Sequence, residues 1–326
     1  MKHWVLVIAL ICLAAGTASA DVANEVIVGL EVDSTSEAKD STGADVTDKI
    51  DNDNTLFVLQ YTHFFSPLKE NDKPIELRRF YQHPSTVSVG LAFLGSTYKD
   101  STIPSDTKTT AGELLLGGEY FFPTNTGIFL NIGAGSGTIK DNMGGPDTDL
   151  EMGRVELGVR QYIGESFAIQ LKFLSESIES KPGGSPTTTD DKAVAYLGAR
   201  WVIADIVGLA LELGGGEQEL KTTGASTKFD VAAVNAEIAG YIGKHLTVRL
   251  AVEAESVDLQ GMPSGTEHIT TTGRTTLAAR YWFSERFGME LPLYSEKVEH
   301  KTVFPGGEFK DEETNTGIGL YAAFRF

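Results

Sequence analysis

Apolar and polar residues alternate at every second position through most of the chain after residue 21. In SFAIQLKF, Phe167, Ile169 and Leu171 share one face, and Gln170 and Lys172 share the other. A period of two is typical of a β-strand with one apolar face and one hydrated face. Helical periodicity is nearly absent over the same region. The pattern therefore predicts an all-β chain.

Aromatic-rich segments recur about every 40 residues. They read GEYFFPTNTG, RQYIGESF, ARWVIADIVG, GYIGKHL and ARYWFSERF, and a last step of similar size reaches Phe326. The connections between them, such as SKPGGSPTTTDDK, are long and rich in Gly, Pro, Ser, Thr and Asp. Each repeat is long enough for two strands, one short turn and one long polar loop.

Short turns flanked by aromatic residues at one end, with long polar loops at the other, are the layout of a bacterial outer-membrane barrel. The chain resembles the outer-membrane β-barrel proteins of Gram-negative bacteria over residues 21–326, and its size is similar to that of the fourteen-stranded monomeric porins. This resemblance implies a transmembrane antiparallel up-and-down β-barrel in the cell outer membrane. It also implies contact with lipid and lipopolysaccharide, and folding by the barrel assembly machinery.

The last ten residues, GIGLYAAFRF, are similar to the assembly signal of that superfamily, a terminal aromatic residue preceded by alternating apolar residues. The matching positions are Ile318, Leu320, Ala322, Phe324 and Phe326. One strict form of the signal has Gly where this chain has Tyr321. We expect the matching positions to face lipid, and Tyr321 and Arg325 to face the lumen.

Fourteen strands are predicted, with twelve as the alternative. Their centres are Val28, Val58, Leu91, Leu116, Ile132, Leu157, Leu171, Leu197, Leu211, Val234, Leu250, Leu277, Leu291 and Leu320. An even number places both termini on the periplasmic side. The least regular segment, residues 66–85, is predicted to be a long periplasmic connection that holds a short helix around Ile75 to Tyr81 or conceals a strand pair.

The first twenty residues have the pattern of a secretory signal peptide and are excluded from the fold. Lys2 precedes an apolar run, and the segment ends in the small residues Ala18, Ser19 and Ala20. Its Cys12 is the only cysteine, so no disulfide is predicted. The chain carries a net charge of −18 without a basic stripe, which argues against nucleic acid as a partner.

Strand phase predicts a polar lumen of mixed charge. An ion facing lipid near the midplane costs about 2–4 kcal/mol, so charges that share one phase are expected to face water inside. The acids in this phase are Glu25, Glu31, Glu113, Glu119, Glu156, Glu212, Glu237, Glu253, Glu255 and Glu290. The bases are Arg154, Arg160, Lys172, Arg200, Arg249, Arg274, Arg280 and Arg325. Fourteen strands would leave a path of roughly 15 Å.

Four arginines precede an aromatic turn and should lie at similar depth near the periplasmic mouth: Arg160, Arg200, Arg280 and Arg325. One interpretation is a charged ring that sets ion or solute selectivity. The other is that each arginine pairs with a luminal glutamate, such as Glu119 or Glu237, and stiffens the wall.

These features predict a monomeric channel for passive diffusion of small hydrophilic solutes or ions, with a weak preference for cations. The alternatives are a non-conducting structural or surface-interaction barrel, and a transporter of hydrophobic compounds similar to the long-chain fatty acid family.

No enzyme is predicted, because no phase places a histidine beside a serine and a carboxylate. The least implausible catalytic site is His268 and His300 with Asp258 or Glu299. No cofactor and no metal site is predicted, since the acidic stretch DKIDNDN lacks the glycine and distal glutamate of an EF-hand.

Overall fold

The computed structural model describes residues 21–39, 50–100, 105–142, 145–183, 186–259, 266–304 and 307–326. The predicted signal peptide at residues 1–20 lies outside the described residues. The described chain contains fourteen strands: β1 Val22–Lys39, β2 Ile50–Leu68, β3 Thr86–Asp100, β4 Ser105–Phe121, β5 Thr126–Asp141, β6 Thr148–Ile163, β7 Phe167–Pro182, β8 Thr188–Ile203, β9 Val207–Thr222, β10 Ala225–Ile242, β11 Leu246–Leu259, β12 Glu267–Ser284, β13 Phe287–Phe304 and β14 Gly307–Arg325.

The strands form one closed antiparallel barrel in which each strand pairs with its neighbours in sequence. The barrel closes where β1 pairs with β14, with Leu30 opposite Leu320. Each of the fourteen predicted centres falls in a different strand, so the predicted count is confirmed and the twelve-strand alternative is wrong. Closure gives every strand two neighbours, which satisfies backbone groups that hydrocarbon cannot.

The outer surface of the barrel is an apolar belt. Leucines at alternate strand positions face outward, and among them Leu116, Leu171 and Leu197 are 52%, 61% and 65% exposed. Inward positions carry charged, amide and small residues together with buried apolar clusters such as that of Leu174, Val194 and Val231, and some inward glycines lie under an aromatic ring. Tyr321, at the position where the strict assembly signal has Gly, covers Gly29 so closely that a Cβ there would overlap the ring. The strands therefore alternate between an outward face that is mostly apolar and an inward face that is closed off from lipid.

The connections at one end of the barrel are short turns of two to four residues at 122–125, 164–166, 204–206, 243–245 and 285–286. Gly164 and Gly243 in these turns have φ values of 65° and 64°, a conformation that glycine adopts at low cost. At the other end, the polar stretches that the sequence predicts to be long loops are partly β-strand. The strands have 14 to 19 residues and continue beyond the membrane. About ten residues per strand suffice to cross a bilayer.

The connection between β2 and β3 is the exception, and we call residues 69–85 the plug. It contains a 3₁₀ turn at Ile75–Leu77 and a short helix, α1, at Arg78–Gln82. His83 ends the helix in the left-handed region, with φ 46°, and Pro84 prevents its continuation. The predicted short helix is confirmed, and the hidden strand pair is wrong. The sequence predicts that residues 66–68 belong to the connection, but they complete β2. No helix among the described residues is long and apolar enough to cross a membrane.

Candidate functional site

The plug fills the barrel end at which the short turns lie. Ile75 and Leu77 are fully buried, and Phe80 is 5% exposed. Leu77 and Phe80 belong to an apolar cluster with inward residues of four strands: Tyr162, Ala168, Val202, Ala239 and Tyr241. Ile75 packs on the other side, against Trp282 and Ala323. These contacts reach β6, β7, β8, β10, β12 and β14, so the plug spans the periplasmic mouth rather than lying against one wall.

Ion pairs connect the plug to three of the periplasmic turns. Lys73 lies 2.6 Å from Asp205, between β8 and β9, and Asp72 lies 2.9 Å from Lys244, between β10 and β11. The buried guanidinium of Arg78 pairs with Glu285, between β12 and β13. The Ile75 amide also donates to the Lys244 carbonyl at 3.1 Å. The seat of the plug is therefore polar at its rim and apolar at its centre.

The plug also pairs with the barrel wall inside the lumen. Glu76 lies 2.6 Å from the guanidinium of Arg280, and it accepts a hydrogen bond from Trp282 Nε1 at 3.2 Å. Arg325 donates to the Ile75 carbonyl at 3.4 Å. Burial alone would raise the pKa of Glu76, but the charges of Arg280 and Arg325 outweigh it and hold that pKa below its usual 4.5. Glu76 is therefore a carboxylate at neutral pH.

His83 packs against two aromatic rings of the wall. Its ring centroid lies 3.8 Å from that of Tyr162 and 5.5 Å from that of Phe121. Burial lowers the pKa of His83, and the positive charge of Arg160 lowers it further, against hydrogen bonds to the Phe80 backbone and Asn125 that oppose the shift. The neutral imidazole is therefore the form that fits the seated plug.

Three of the four arginines predicted to form a ring have carboxylate partners. Arg160 lies 2.9 Å from Glu119, and Arg325 lies 2.6 Å from Glu25. Arg280 lies between Glu76 of the plug and Glu290 of the wall, at 2.6 Å and 2.5 Å. Arg200 instead lies over the Phe80 ring, 5.4 Å from its centroid. Three of these arginines thus form ion pairs with glutamates, and one of these glutamates, Glu76, belongs to the plug.

Most other predicted luminal charges also meet across the inner wall. Lys172 lies 3.0 Å from Glu212, Arg274 lies 3.0 Å from Glu31, and Arg249 lies 2.6 Å from Glu290 and 3.9 Å from Glu237. Arg154 is 3.7 Å from Glu156 and 3.6 Å from Glu176. Glu255 pairs with Lys192, a luminal base that is absent from the predicted set. Glu113 lies against Gly133. Glu253 lines a luminal cavity.

Two adjoining cavities occupy the lumen beside the plug. One has a volume of about 580 Å³ and includes Glu76, Arg79 and Phe80 of the plug in its lining. The other, of about 420 Å³, lies against β6 to β11. They share Arg160, Tyr162, Gln170, Lys172, Arg200 and Glu237. The space next to the plug is therefore lined mainly by charged and amide side chains.

Sequence reasoning located the plug segment but missed its position inside the barrel. The signal available was the spacing of Ile75, Leu77 and Phe80, which puts three apolar residues into a segment otherwise rich in charge. A connection exposed to water on all sides has no reason to carry three large apolar residues in so short a segment. The contact of Glu76 with Arg280 follows from the fold and leaves no local sequence pattern.

The two histidines considered for catalysis have hydroxyl partners. His268 lies 2.7 Å from the Thr302 hydroxyl, and His300 lies 3.1 Å from the Thr270 hydroxyl. Among the described residues, no three His, Cys, Asp or Glu side chains form a group that could hold a metal ion. The last residue, Phe326, lies in the seam with β1, where its carbonyl accepts hydrogen bonds from the Ala23 and Asn24 amides at 3.1 Å and 2.8 Å. The role of the terminal residues in assembly stays a prediction.

No protein-family model matches the chain. No curated protein matches it. Solved structures match it in fold, among them the P. putida toluene transporter TodX, with a TM-score of 0.57 and 10% identity over 96% of this chain and 91% of that one. A deltaS2 mutant of TodX, described as a monoaromatic hydrocarbon channel, has a TM-score of 0.59 and 11% identity over 94% of this chain and 91% of the mutant. CymD, also described as a monoaromatic hydrocarbon channel, has a TM-score of 0.51 and 9% identity over 94% of this chain and 89% of CymD.

At these identities the likeness is one of fold. A closed antiparallel barrel with an apolar outer belt, a polar interior and short turns at one end is the architecture that spans bacterial outer membranes. The chain therefore has the fold of a Gram-negative outer-membrane β-barrel, and its place in the cell is the outer membrane.

Proposed function

We propose that this barrel is a channel for the passive diffusion of small hydrophilic solutes or ions. The observation that carries the proposal is the pair of adjoining luminal cavities, of about 580 Å³ and 420 Å³, whose shared lining includes Arg160, Lys172, Arg200 and Glu237. A luminal surface of this composition stays hydrated and offers hydrogen bonds to a polar solute. The same surface penalises an apolar solute, which would have to displace water from charged groups.

The plug regulates this path in the proposal. Its apolar residues Ile75, Leu77 and Phe80 are buried against the wall, so its displacement widens the periplasmic mouth. Its polar rim is held by ion pairs such as that of Lys73 with Asp205, which water and salt weaken. Local opening of a small segment costs less than unfolding of the barrel. The excess of acidic residues in the lumen gives the open path a weak preference for cations.

A non-conducting structural barrel is the second candidate, favoured by the plug itself. A transporter of hydrophobic compounds is the third, since TodX and CymD are described as a toluene transporter and a hydrocarbon channel. The charged lining favours the first candidate over the third. The barrel is further proposed to act as a monomer in contact with lipid and lipopolysaccharide. It is proposed to lack catalytic activity.

Recording from the purified chain in planar lipid bilayers tests the proposal. We expect discrete conductance steps in KCl from the wild type. Replacement of residues 70–84 by a short Gly-Ser linker should give steps of higher conductance or openings of longer duration. The absence of steps from the wild type, with steps from the linker variant, would identify a barrel that the plug holds closed and would contradict passive diffusion. Rates of solute entry into liposomes that carry the protein in their membrane then distinguish the solute classes. Faster entry of toluene than of a small sugar would favour the hydrophobic transporter.

A further inference from the structure

The cavity of about 420 Å³ is lined by one cation and one acid that have no partner of opposite charge within 4.0 Å among the described residues. Its lining includes Arg160, Lys172, Arg200, Glu212, Glu237 and Glu253. Arg160 and Lys172 pair with carboxylates at 2.9 Å and 3.0 Å, and Glu212 is the partner of Lys172. The three remaining charged side chains decide what the cavity can bind.

Arg200 is the cation without a carboxylate partner. Among the described residues, no Asp or Glu oxygen lies within 4.0 Å of its guanidinium, whereas Arg160, Arg280 and Arg325 each have one within 3.0 Å. Its neighbours are the face of the Phe80 ring and the Tyr241 side chain. Neither neighbour neutralises a positive charge, and a guanidinium presents a planar set of donors that fits a carboxylate in two-point contact.

Glu253 and Glu237 are the matching acids. Among the described residues, no Lys, Arg or His nitrogen lies within 4.0 Å of Glu253, and Glu237 has only Arg249, at 3.9 Å. Acceptors of this kind bind an ammonium group through charge-assisted hydrogen bonds. The cavity thus offers an anion-binding group and cation-binding groups within one recess of the lumen.

The sheet register separates these groups by a recess. Arg200 on β8 lies opposite Ala210 on β9, Ala210 lies opposite Glu237 on β10, and Glu237 lies opposite Ala251 on β11. The two alanines leave space where a larger inward side chain would fill the wall. Two strand spacings, about 10 Å, lie between the backbones of Arg200 and Glu237. A solute in the recess can therefore reach both side chains.

We infer that this recess binds small zwitterionic solutes, with their carboxylate on Arg200 and their ammonium group on Glu237 and Glu253. The amide groups of Gln170 and Asn235 also line the recess and are held by Glu212, at 2.8 Å and 3.3 Å, so they add polar surface without adding charge. The inference rests on the proposed channel function and names its solute class, compounds that carry one amino group and one carboxylate on a short chain.

Equilibrium binding to the full chain in detergent micelles at pH 7, measured by saturation-transfer NMR, tests the inference. The ligands are 4-aminobutanoate, butanoate and butylammonium, which have the same chain length and differ in charge. We expect 4-aminobutanoate to bind at least tenfold more tightly than either analogue. Equal binding of butanoate would show a simple anion site, and tighter binding of butylammonium would show a cation site. Either result overturns the inference.

Variants assign the contacts. Arg200→Gln should make 4-aminobutanoate bind no better than butylammonium, and the double variant Glu237→Gln with Glu253→Gln should make it bind no better than butanoate. Ala210→Leu keeps every charge and fills the recess, so it should weaken binding at least tenfold. The control is Arg79→Gln. No carboxylate of the described residues lies within 4.0 Å of this guanidinium either, and it lines the neighbouring cavity but not this one. Binding that falls as much in the control as in Arg200→Gln would overturn the assignment.

Gel mobility before and after heating reports whether each variant forms the barrel. Conductance in KCl, recorded in parallel, separates this inference from the channel function. Conductance without preference for 4-aminobutanoate removes the zwitterion site and leaves the channel. Preferential binding without conductance removes the channel and leaves the site.

Discussion

Glu76 of the plug lies 2.6 Å from the guanidinium of Arg280 in the barrel wall, and Glu290 lies 2.5 Å from the same guanidinium. One arginine thus joins a residue of the wall to a residue of the plug. When the plug leaves, Glu76 returns to water while Arg280 keeps Glu290. This arrangement makes the position of the plug dependent on charge.

Glu76→Gln should loosen the plug. A hydrogen bond between charged groups contributes about 1.5–3 kcal/mol, and about 1.4 kcal/mol is a factor of ten in an equilibrium. The open probability in planar bilayers should therefore rise about tenfold, with the conductance of the open state unchanged.

Glu70→Gln is the matched control, because Glu70 is in the plug and exposed. It removes the same charge without removing a contact of the wall. An equal rise in open probability in both variants would mean that net charge, and not the Arg280 contact, holds the plug.

Acidification should loosen the plug through His83. Burial lowers the pKa of His83 from its ordinary 6.5, so the seated plug favours the neutral ring. The contribution of this group is complete above pH 6.5 and is lost as pH falls through the lowered pKa. Open probability should therefore increase as pH falls below 6.5. The contribution of Glu76, whose pKa is also lowered, is complete above pH 4.5 and is lost only below that value.

His83→Asn removes the titrating ring and tolerates the left-handed backbone with φ 46°. Its open probability should no longer change between pH 6.5 and 5, although its value at pH 7 will be higher because the ring contacts are gone. A pH response that persists in this variant would assign the effect to another group.

Trp282 should be the most costly aromatic residue to truncate. Its ring is 1% exposed, lies 4.1 Å from the Arg325 guanidinium carbon, and packs against Ile75. Trp282→Ala should lower the free energy of unfolding by about 3–5 kcal/mol. Urea titration in lipid vesicles, followed by gel mobility, measures the loss. Trp201→Ala is the control, because Trp201 is 50% exposed on the lipid face. A loss as large in the control would show that the luminal contacts of Trp282 contribute little.

Strand phase predicted the barrel and its faces because each strand repeats the same constraint, apolar toward lipid and polar toward water. Glu31 and Arg274 could be assigned to the lumen in this way, without knowing that they lie 3.0 Å apart. Partners across the lumen depend on the register and curvature of many strands, which no local pattern records. The position of Phe80 under Arg200 depends in addition on the plug folding inward. The alternation along β8 is the same whether the lumen is open or filled.

The arginines should set ion selectivity in proportion to the negative charge that each one neutralises. Arg280→Ala leaves Glu76 without its ion-pair partner and leaves Glu290 with Arg249 alone, so the preference for cations should increase severalfold. Arg200→Ala frees no carboxylate and should cause a smaller increase, and the double variant should exceed both. Reversal potentials under a KCl gradient measure the preference, best below 0.1 M salt, where screening extends over about 10 Å or more.

Lys140→Ala is the control for these variants. The Lys140 side chain is 61% exposed and pairs with Asp147 at the extracellular rim, so its loss removes one positive charge far from the arginines. It should shift the reversal potential less than Arg200→Ala does. An unchanged reversal potential in the Arg200 and Arg280 double variant would show that these arginines stabilise the wall and the plug without selecting ions.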